Sequence, residues 1–329
     1  AENNFIMHFA EKYINLISES IEKYKFEETP FELYQPINYI IANGGKRLRP
    51  MLTLMAADAF GGDINTAIKP ALAIEFFHNF TLIHDDIMDD APLRRGKPTI
   101  HTLEGINTGI LSGDALLIKS YQFFEDLHPV LFKKCIHLFS DTGAKICEGQ
   151  QMDMNFEKRD DVSFDEYIQM ITYKTGVLSA TALKIGAFIA ECPEQDAEAL
   201  YQFGIHLGIA FQMMDDYLDV FGNQGDFGKK QAGDICENKK TVLCLTALEK
   251  ADEKQKKELQ NWYSQKDENQ EKIDAVSKIF IDTKADEITL KLVQEHHDTA
   301  QKYLNQTSLN TEKKQSFLAL ADYLLKRNI

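Results

Sequence analysis

Two short segments bring aspartates together in a pattern that could do chemistry: Asp85-Asp86-Ile87-Met88-Asp89-Asp90 and Asp215-Asp216-Tyr217-Leu218-Asp219. Each places Asp at i, i+1 and i+4, and on a helix the i and i+4 side chains stack on one face about one turn apart. Like charges at that spacing weaken a helix by roughly 0.3 kcal/mol, so a chain that carries them twice is expected to supply a cation. An all-oxygen ligand set favours a hard ion such as Mg²⁺, which bridges a few carboxylates and substrate phosphate oxygens while keeping some waters. Acidic clusters are often only solvated helix faces. Here, however, each ends an apolar run, FTLIH from Phe80 and GIAFQMM from Gly208, and surface faces seldom look like that. Neither segment has the ligand spacing of an EF-hand loop.

Cations follow the same logic. Arg94-Arg95-Gly96-Lys97 begins four residues after Asp90, and arginine meets phosphate oxygens bidentately, so this turn suits a diphosphate clamp. Gly44-Gly45-Lys46-Arg47-Leu48-Arg49 is a second basic turn, whose glycines let backbone N–H groups approach an anion. Lys174-Thr175-Gly176, Lys229 and Lys239-Lys240-Thr241 are further candidates, although single lysines are ordinarily solvated. Taken together, two acid clusters suit one metal-bound diphosphate, and two arginine-bearing turns suit a second anion held without metal. There is no persuasive Ser/His/Asp or Cys/His arrangement, so covalent catalysis is not expected.

The elements that must position these residues read as long helices. Gly and Pro number only 18 and 8 in 329 residues, and the 96 residues from Asp234 to Ile329 contain neither, which short strands could not easily sustain. Phe5, Phe9, Tyr13 and Ile17, and again Ile74, His78 and Leu82, recur at the spacing of helices buried on one face. GGKRLRP predicts a tight turn before a helix beginning at Met51, and Ala91 to Pro98 predicts a second interruption. Ser163-Phe-Asp-Glu166 has the pattern of a capping box opening another helix. The charged link EKRDDV before it is not taken as a domain boundary, because chemical motifs on both sides of it need one cavity. A single domain over 1–329 is expected, with residues 251–278 as a solvated helical hairpin and no solenoid repeat.

Composition excludes several classes. Lys plus Arg total 36 against 51 acidic residues, a net charge of −15, which disfavours nucleic acid or anionic lipid as a general partner. With 44% hydrophobic and 26% charged residues the chain is globular rather than disordered. Five scattered cysteines without a C-x-x-C pair suit a reducing, cytoplasmic location. The first residues lack a basic segment leading into an apolar one, and no run approaches the ~18 apolar residues of a membrane span, so neither a secretory signal nor a transmembrane helix is expected.

GGKRLRP, LIHDDIMDDAPLRRGKPTIH, GDALL, GQQMDM, KTG and FQMMDDYLDVFG, in that order from Gly44 to about Thr241, resemble the trans-isoprenyl diphosphate synthases (polyprenyl synthetases). The second and last blocks are the specific ones. The resemblance implies an all-α isoprenoid-synthase-like bundle around a deep cavity, usually a homodimer, with the two Asp-rich motifs facing each other across its mouth. It assigns Asp85, Asp86, Asp89, Asp215, Asp216 and Asp219 to Mg²⁺, commonly three ions. Arg94, Lys174, Gln212, Lys229 and Lys239 match contacts to the allylic diphosphate. Gly45, Lys46, Arg49, His78 and Arg95 match the site for isopentenyl diphosphate; by pattern alone His78 would read as a core histidine. The chemistry implied is ionisation of the allylic C–O bond, attack by the isopentenyl double bond on the cation, and loss of a proton to the released diphosphate, with Thr175 and Gln212 steadying the cation. The family often has Gly where Asn238 stands, but Asn tolerates left-handed dihedrals better than most residues.

Product length is expected to depend on the helix leading into Asp85, where Thr81, Phe80 and Phe77 lie beneath the carboxylates; the alternatives are a Phe80 ring packed elsewhere in the core and control by Phe77 or by residues of other helices. An aromatic residue at Phe80 with small Thr81 beside it resembles a C20 producer, with C15 close behind. A class I terpene cyclase also ionises prenyl diphosphates, but GGKRLRP, His78 and a second full DD-x-x-D argue against one. A non-catalytic partner subunit would be expected to have lost motif members, and none of the core set is missing. At about 1.5 Å rise per residue, Phe80 sits roughly 7.5 Å below Asp85 and can floor the growing chain. Phe80→Ala is therefore expected to lengthen the prenyl product; an unchanged length on chromatography would remove Phe80 as the determinant.

Overall fold

The computed structural model describes residues 2–222 and 232–326, with the side chains of residues 2–7 and 9 left aside. The described residues are mainly helical, with almost no strand. In chain order they form α1 (Glu2–Lys23), α2 (Phe31–Ala42), α3 (Leu48–Ala59), α4 (Ile64–Met88), the two-residue strands β1 (Leu93–Arg94) and β2 (Lys97–Pro98), α5 (Ile100–Glu104), α6 (Ile106–Gln122) and α7 (Pro129–Phe156). There follow α8 (Phe164–Ile171), a π-helical turn (Thr172–Gly176), α9 (Val177–Ile189), α10 (Glu194–Phe221), α11 (Gly233–Cys236), α12 (Val242–Lys250), α13 (Glu253–Trp262), α14 (Gln270–Asp282), α15 (Ala285–Asn305) and α16 (Thr311–Lys326). No described helix is long and apolar enough to cross a membrane.

The chain forms two compact units. One comprises residues 1–140 and 181–200; the other comprises 141–180 and 201–329. In the first, α4 packs against α1, α3 and α6. It is buried on all sides over Pro70–Phe77, as a helix segment apolar almost all round must be, and its N-terminus is capped by the Asp63 carboxylate accepting from the Asn65 N–H at 3.0 Å. Phe76, Phe77, Phe124 and Phe139 fill the space around it, with Phe77 and Phe139 edge to face at 5.1 Å between centroids. In the second unit, Leu243, Cys244, Val276, Ile279 and Phe280 form the core between α12, α14 and their neighbours.

Several expectations hold. Tyr13, Ile17 and Ile74 are buried, and the glycine- and proline-free region is helical from α11 to α16. Ser163 and Glu166 form the capping box, each side chain accepting the other's backbone N–H, at 3.1 and 2.9 Å. Two expectations need correction. The helix expected at Met51 starts at Leu48, because Pro50 falls within its first turn, where the missing N–H costs nothing. The segment 251–278 is helical but not simply solvated: Leu259, Lys272, Ile273 and Val276 are buried. The moderate hydrophobicity of α14 hides a buried stripe behind its charges.

Candidate active site

The first acid cluster closes α4. Asp85 lies in the last turn, Asp86 is buried, and Asp89 is the exposed C-cap, its N–H returning to the Asp85 carbonyl at 2.9 Å. The chain then reverses at Asp90, which takes a φ of 48°. Beyond it β1 and β2 pair antiparallel with Arg94 opposite Lys97, leaving Arg95 and Gly96 as a two-residue turn with φ of 52° and 76°. Two consecutive positive φ values are what a type I′ hairpin turn requires, and Gly supplies one without strain. The hairpin folds Arg94 back onto α4. Its Nε and Nη2 donate to the two oxygens of Asp86, both at 2.8 Å, a bidentate pair with the carboxylate buried.

A second cationic turn belongs to the same unit. Arg47, with φ of 54°, caps the start of α3 and donates to buried Glu75 at 2.8 Å and to the Ile41 carbonyl. Glu75 also accepts from Asn79 at 3.0 Å. Arg49 Nη1 lies 3.3 Å from His78 Nε2, and its Nε is buried without a protein partner. Arg95 donates to the Gly44 carbonyl at 2.6 Å, and its guanidinium sits where a Cβ on Gly45 would be, 3.0 Å away. Lys46 is exposed. Withdrawal from solvent, then Arg49, Arg95, Arg94 and Arg47 in turn, hold the His78 pKa well below its ordinary value, so the ring is neutral. Arg47 and Arg94 thus have buried carboxylates, whereas Arg49 faces a neutral histidine and Arg95 a backbone carbonyl. That is a cluster of net positive charge, the kind of field that an anion would neutralise.

Phe77 is enclosed in the core and meets Phe80 edge to face at 5.4 Å; half-buried Phe80 meets His84 at 4.9 Å. Thr81 donates to the His78 carbonyl at 2.6 Å, so its hydroxyl is turned into the helix.

In the second unit α10 carries Asp215, Asp216 and Asp219. Asp216 is buried; it accepts from the Tyr167 hydroxyl, from Gln212 Nε2 at 3.0 Å and from the Val242 N–H at 3.4 Å. Asp219 accepts the Asp234 N–H at 2.9 Å, tying α10 to the start of α11. Thr175 donates to Gln212 Oε1 at 3.5 Å, and Lys174 Nζ pairs with Asp153 at 2.5 Å. Two glycines allow this approach. A Cβ on Gly149 of α7 would stand 2.5 Å from the Lys174 nitrogen, and one on Gly208 of α10 would stand 2.8 Å from the Gly176 Cα. Lys239 is exposed beside Asn238, whose φ of 57° is the left-handed conformation expected for it. Lys229 lies outside the described residues.

Within each unit, then, predicted residues meet: Gly45, Arg49, His78 and Arg95 in one, Thr175, Gln212 and Asp216 in the other, with Lys174 held by Asp153 next to Thr175. Sequence reasoning missed Glu75, Asn79, Asp153 and Tyr167, which hold the cations and carboxylates in place. A lone Glu in the apolar run ALAIEFF was the available signal for the first. Among the described residues no three carboxylate, His or Cys groups are already gathered around a metal position. Mg²⁺ needs few protein carboxylates when waters and phosphate oxygens complete its shell, so the donor set fits such an ion all the same.

The Polyprenyl synthetase family model matches residues 30–280. A geranylgeranyl pyrophosphate synthase of Geoglobus acetivorans is 38% identical over 315 residues, 95% of this chain and 96% of its own. The chain belongs to the polyprenyl synthetase family. Among solved members of that family, a geranylgeranyl pyrophosphate synthase is 42% identical with a TM-score of 0.92, covering 97% of this chain and 99% of its own. A polyprenyl synthase from Caulobacter crescentus, solved with calcium and isoprenyl diphosphate, is 27% identical with a TM-score of 0.87, covering 100% and 98%. The all-α polyprenyl synthetase fold expected from the motifs is the fold observed.

Burial raises the Asp216 pKa from 3.8 to about 6, outweighing the three hydrogen bonds that favour its charge. Between those values the folded protein holds a proton that the unfolded chain releases, so stability falls as pH rises through that window. In buffer with EDTA, Asp216→Asn is expected to gain melting temperature relative to the parent from pH 4 to pH 6 and to run parallel above it. Parallel melting curves throughout would contradict the shift.

Proposed function

We propose that the chain is a Mg²⁺-dependent trans-prenyltransferase that condenses isopentenyl diphosphate with dimethylallyl, geranyl and farnesyl diphosphates, with C20 geranylgeranyl diphosphate as product. The observation that carries this is the cluster of Arg49, His78, Arg95 and the Gly44–Gly45 turn, which has an orphaned buried Nε and lies one hairpin away from the α4 aspartates. A cyclase has no use for a second anion site of this kind.

Arg49, Arg95 and Lys46 bind the isopentenyl diphosphate, with neutral His78 donating or accepting a hydrogen bond without adding charge. Arg94, Lys174, Lys239 and Lys229 take the allylic diphosphate, their positive charge favouring its departure. Asp85, Asp86 and Asp89, with Asp215, Asp216 and Asp219, would hold Mg²⁺, and three ions are expected. When bound, the metal supplies Lewis-acid stabilisation of charge on the leaving diphosphate. Gln212 and Thr175 present oxygens towards the allylic cation. The isopentenyl double bond forms the new C–C bond, the C–O bond to diphosphate breaks, and a proton leaves with the diphosphate. Phe80, braced by Phe77 and His84, limits the chain beside Thr81.

The family match runs across both units, which supports one catalytic domain over 1–329. Leu103, Ile106, Ile110, Leu111 and Ile118 are exposed along α5 and α6, an apolar strip suited to a second copy of the chain in a homodimer. Five unpaired cysteines support a cytoplasmic location.

Purified protein given Mg²⁺, isopentenyl diphosphate and farnesyl diphosphate is expected to make a C20 diphosphate, identified by mass, and to make none with EDTA. A cyclic hydrocarbon, or turnover without isopentenyl diphosphate, would contradict the proposal.

A further inference from the structure

Lys272 lies in the charge-rich segment whose sequence predicts a solvated hairpin, yet it is only 1% exposed. A buried ammonium is costly unless its N–H groups find acceptors. Lys272 Nζ donates to Asn238 Oδ1 at 2.5 Å and to the Gln265 carbonyl at 2.8 Å, and lies 5.7 Å from the centre of the Tyr263 ring. Both hydrogen-bond acceptors are neutral, and burial lowers the pKa of the amine.

What the lysine grips is the one backbone position in its loop that resists its own conformation. Asn238 has a φ of 57°, a region that costs a non-glycine residue free energy. Around it the chain is anchored on both sides. Asp267 donates its N–H to the Cys236 carbonyl at 3.2 Å, and Lys239 donates its own to the Asp234 carbonyl at 2.9 Å. Lys240 then reaches the Phe156 carbonyl at 3.0 Å, Thr241 caps α12, and the Val242 N–H meets Asp216. The loop therefore runs from the buried amine, through the left-handed residue, to the two lysines and the α10 carboxylate.

We infer that Lys272 is a positioning residue: its hydrogen bond to Asn238 locks the left-handed turn that aims Lys239 at the allylic diphosphate, while Lys240 anchors the same turn on the Phe156 carbonyl. This rests on the function proposed above. It differs from a general electrostatic effect of Lys272, because it acts through the geometry of Asn238. Glycine at 238 would adopt the same φ with no side chain to grip, so it should make the clamp dispensable.

The test measures KM for the allylic diphosphate and for isopentenyl diphosphate, and kcat, in the parent and three variants. Lys272→Met and Asn238→Ala are each expected to raise the allylic KM about tenfold, the scale of one hydrogen bond to a charged group. The isopentenyl KM should stay within about twofold in both. Asn238→Ala keeps the charge of Lys272, so a rise there separates geometry from field. The double variant Lys272→Met/Asn238→Gly should recover most of the allylic KM despite lacking that charge. Equal rises in both KM values, an unchanged allylic KM in folded Asn238→Ala, or no recovery in the double variant would overturn the inference. Failure of the parent to condense the substrates would instead overturn the proposed function. Should Lys272→Met not fold, the Asn238→Ala result decides alone.

Discussion

The structure depends on how like charges are held close together. In a chain of net charge −15, four arginines converge on one neutral histidine, and acid clusters close two long helices. Each concentration is tolerable only because part of it is balanced from within. Glu75 takes Arg47, and Asp86 takes Arg94 through two parallel hydrogen bonds. The remaining positive groups, Arg49 and Arg95, are oriented by contacts that do not cancel their charge. A fold stores that kind of unbalanced field where a ligand of opposite charge will complete it.

Holding such groups in place uses a small set of backbone devices. Left-handed residues recur at the turns that matter: Arg47 before α3, Asp90 and Arg95 around the hairpin, and Asn238 beside Lys239. Each reverses the chain within one residue and is held by a neighbouring hydrogen bond or ion pair. Close helix contacts do the rest. Gly149 and Gly208 let the π-helical turn with Lys174 and Thr175 settle against α7 and α10, where any Cβ would collide with backbone. Side chains with charge are thereby placed by parts of the chain that carry none.

Much of this was legible in the sequence, for a physical reason. Paired aspartates, basic turns with glycine and the long glycine- and proline-free tail are local patterns, and local patterns survive translation into helices and turns. The capping box at Ser163 and the left-handed Asn238 were likewise properties of a few adjacent residues. What escaped notice was non-local. Glu75 pairs with Arg47 across 28 positions, Tyr167 reaches Asp216 across 49, and Lys272 reaches Asn238 across 34. A lysine in a charge-rich stretch looks solvated until the element that covers it is known. The start of α3 was misplaced by three residues because proline marks the first turn of a helix as readily as it marks a stop.

The central claim is that the α4 carboxylates, with the cation beside them, select a metal-bound diphosphate, distinct from the second anion that the Arg49 and Arg95 group takes without metal. Calorimetric titration of inorganic pyrophosphate, with Mg²⁺ or with EDTA, examines it without requiring turnover. The account predicts binding that weakens by about tenfold or more when Mg²⁺ is removed or when Asp85 and Asp89 are replaced by Asn. Equal affinity in all three conditions would contradict it.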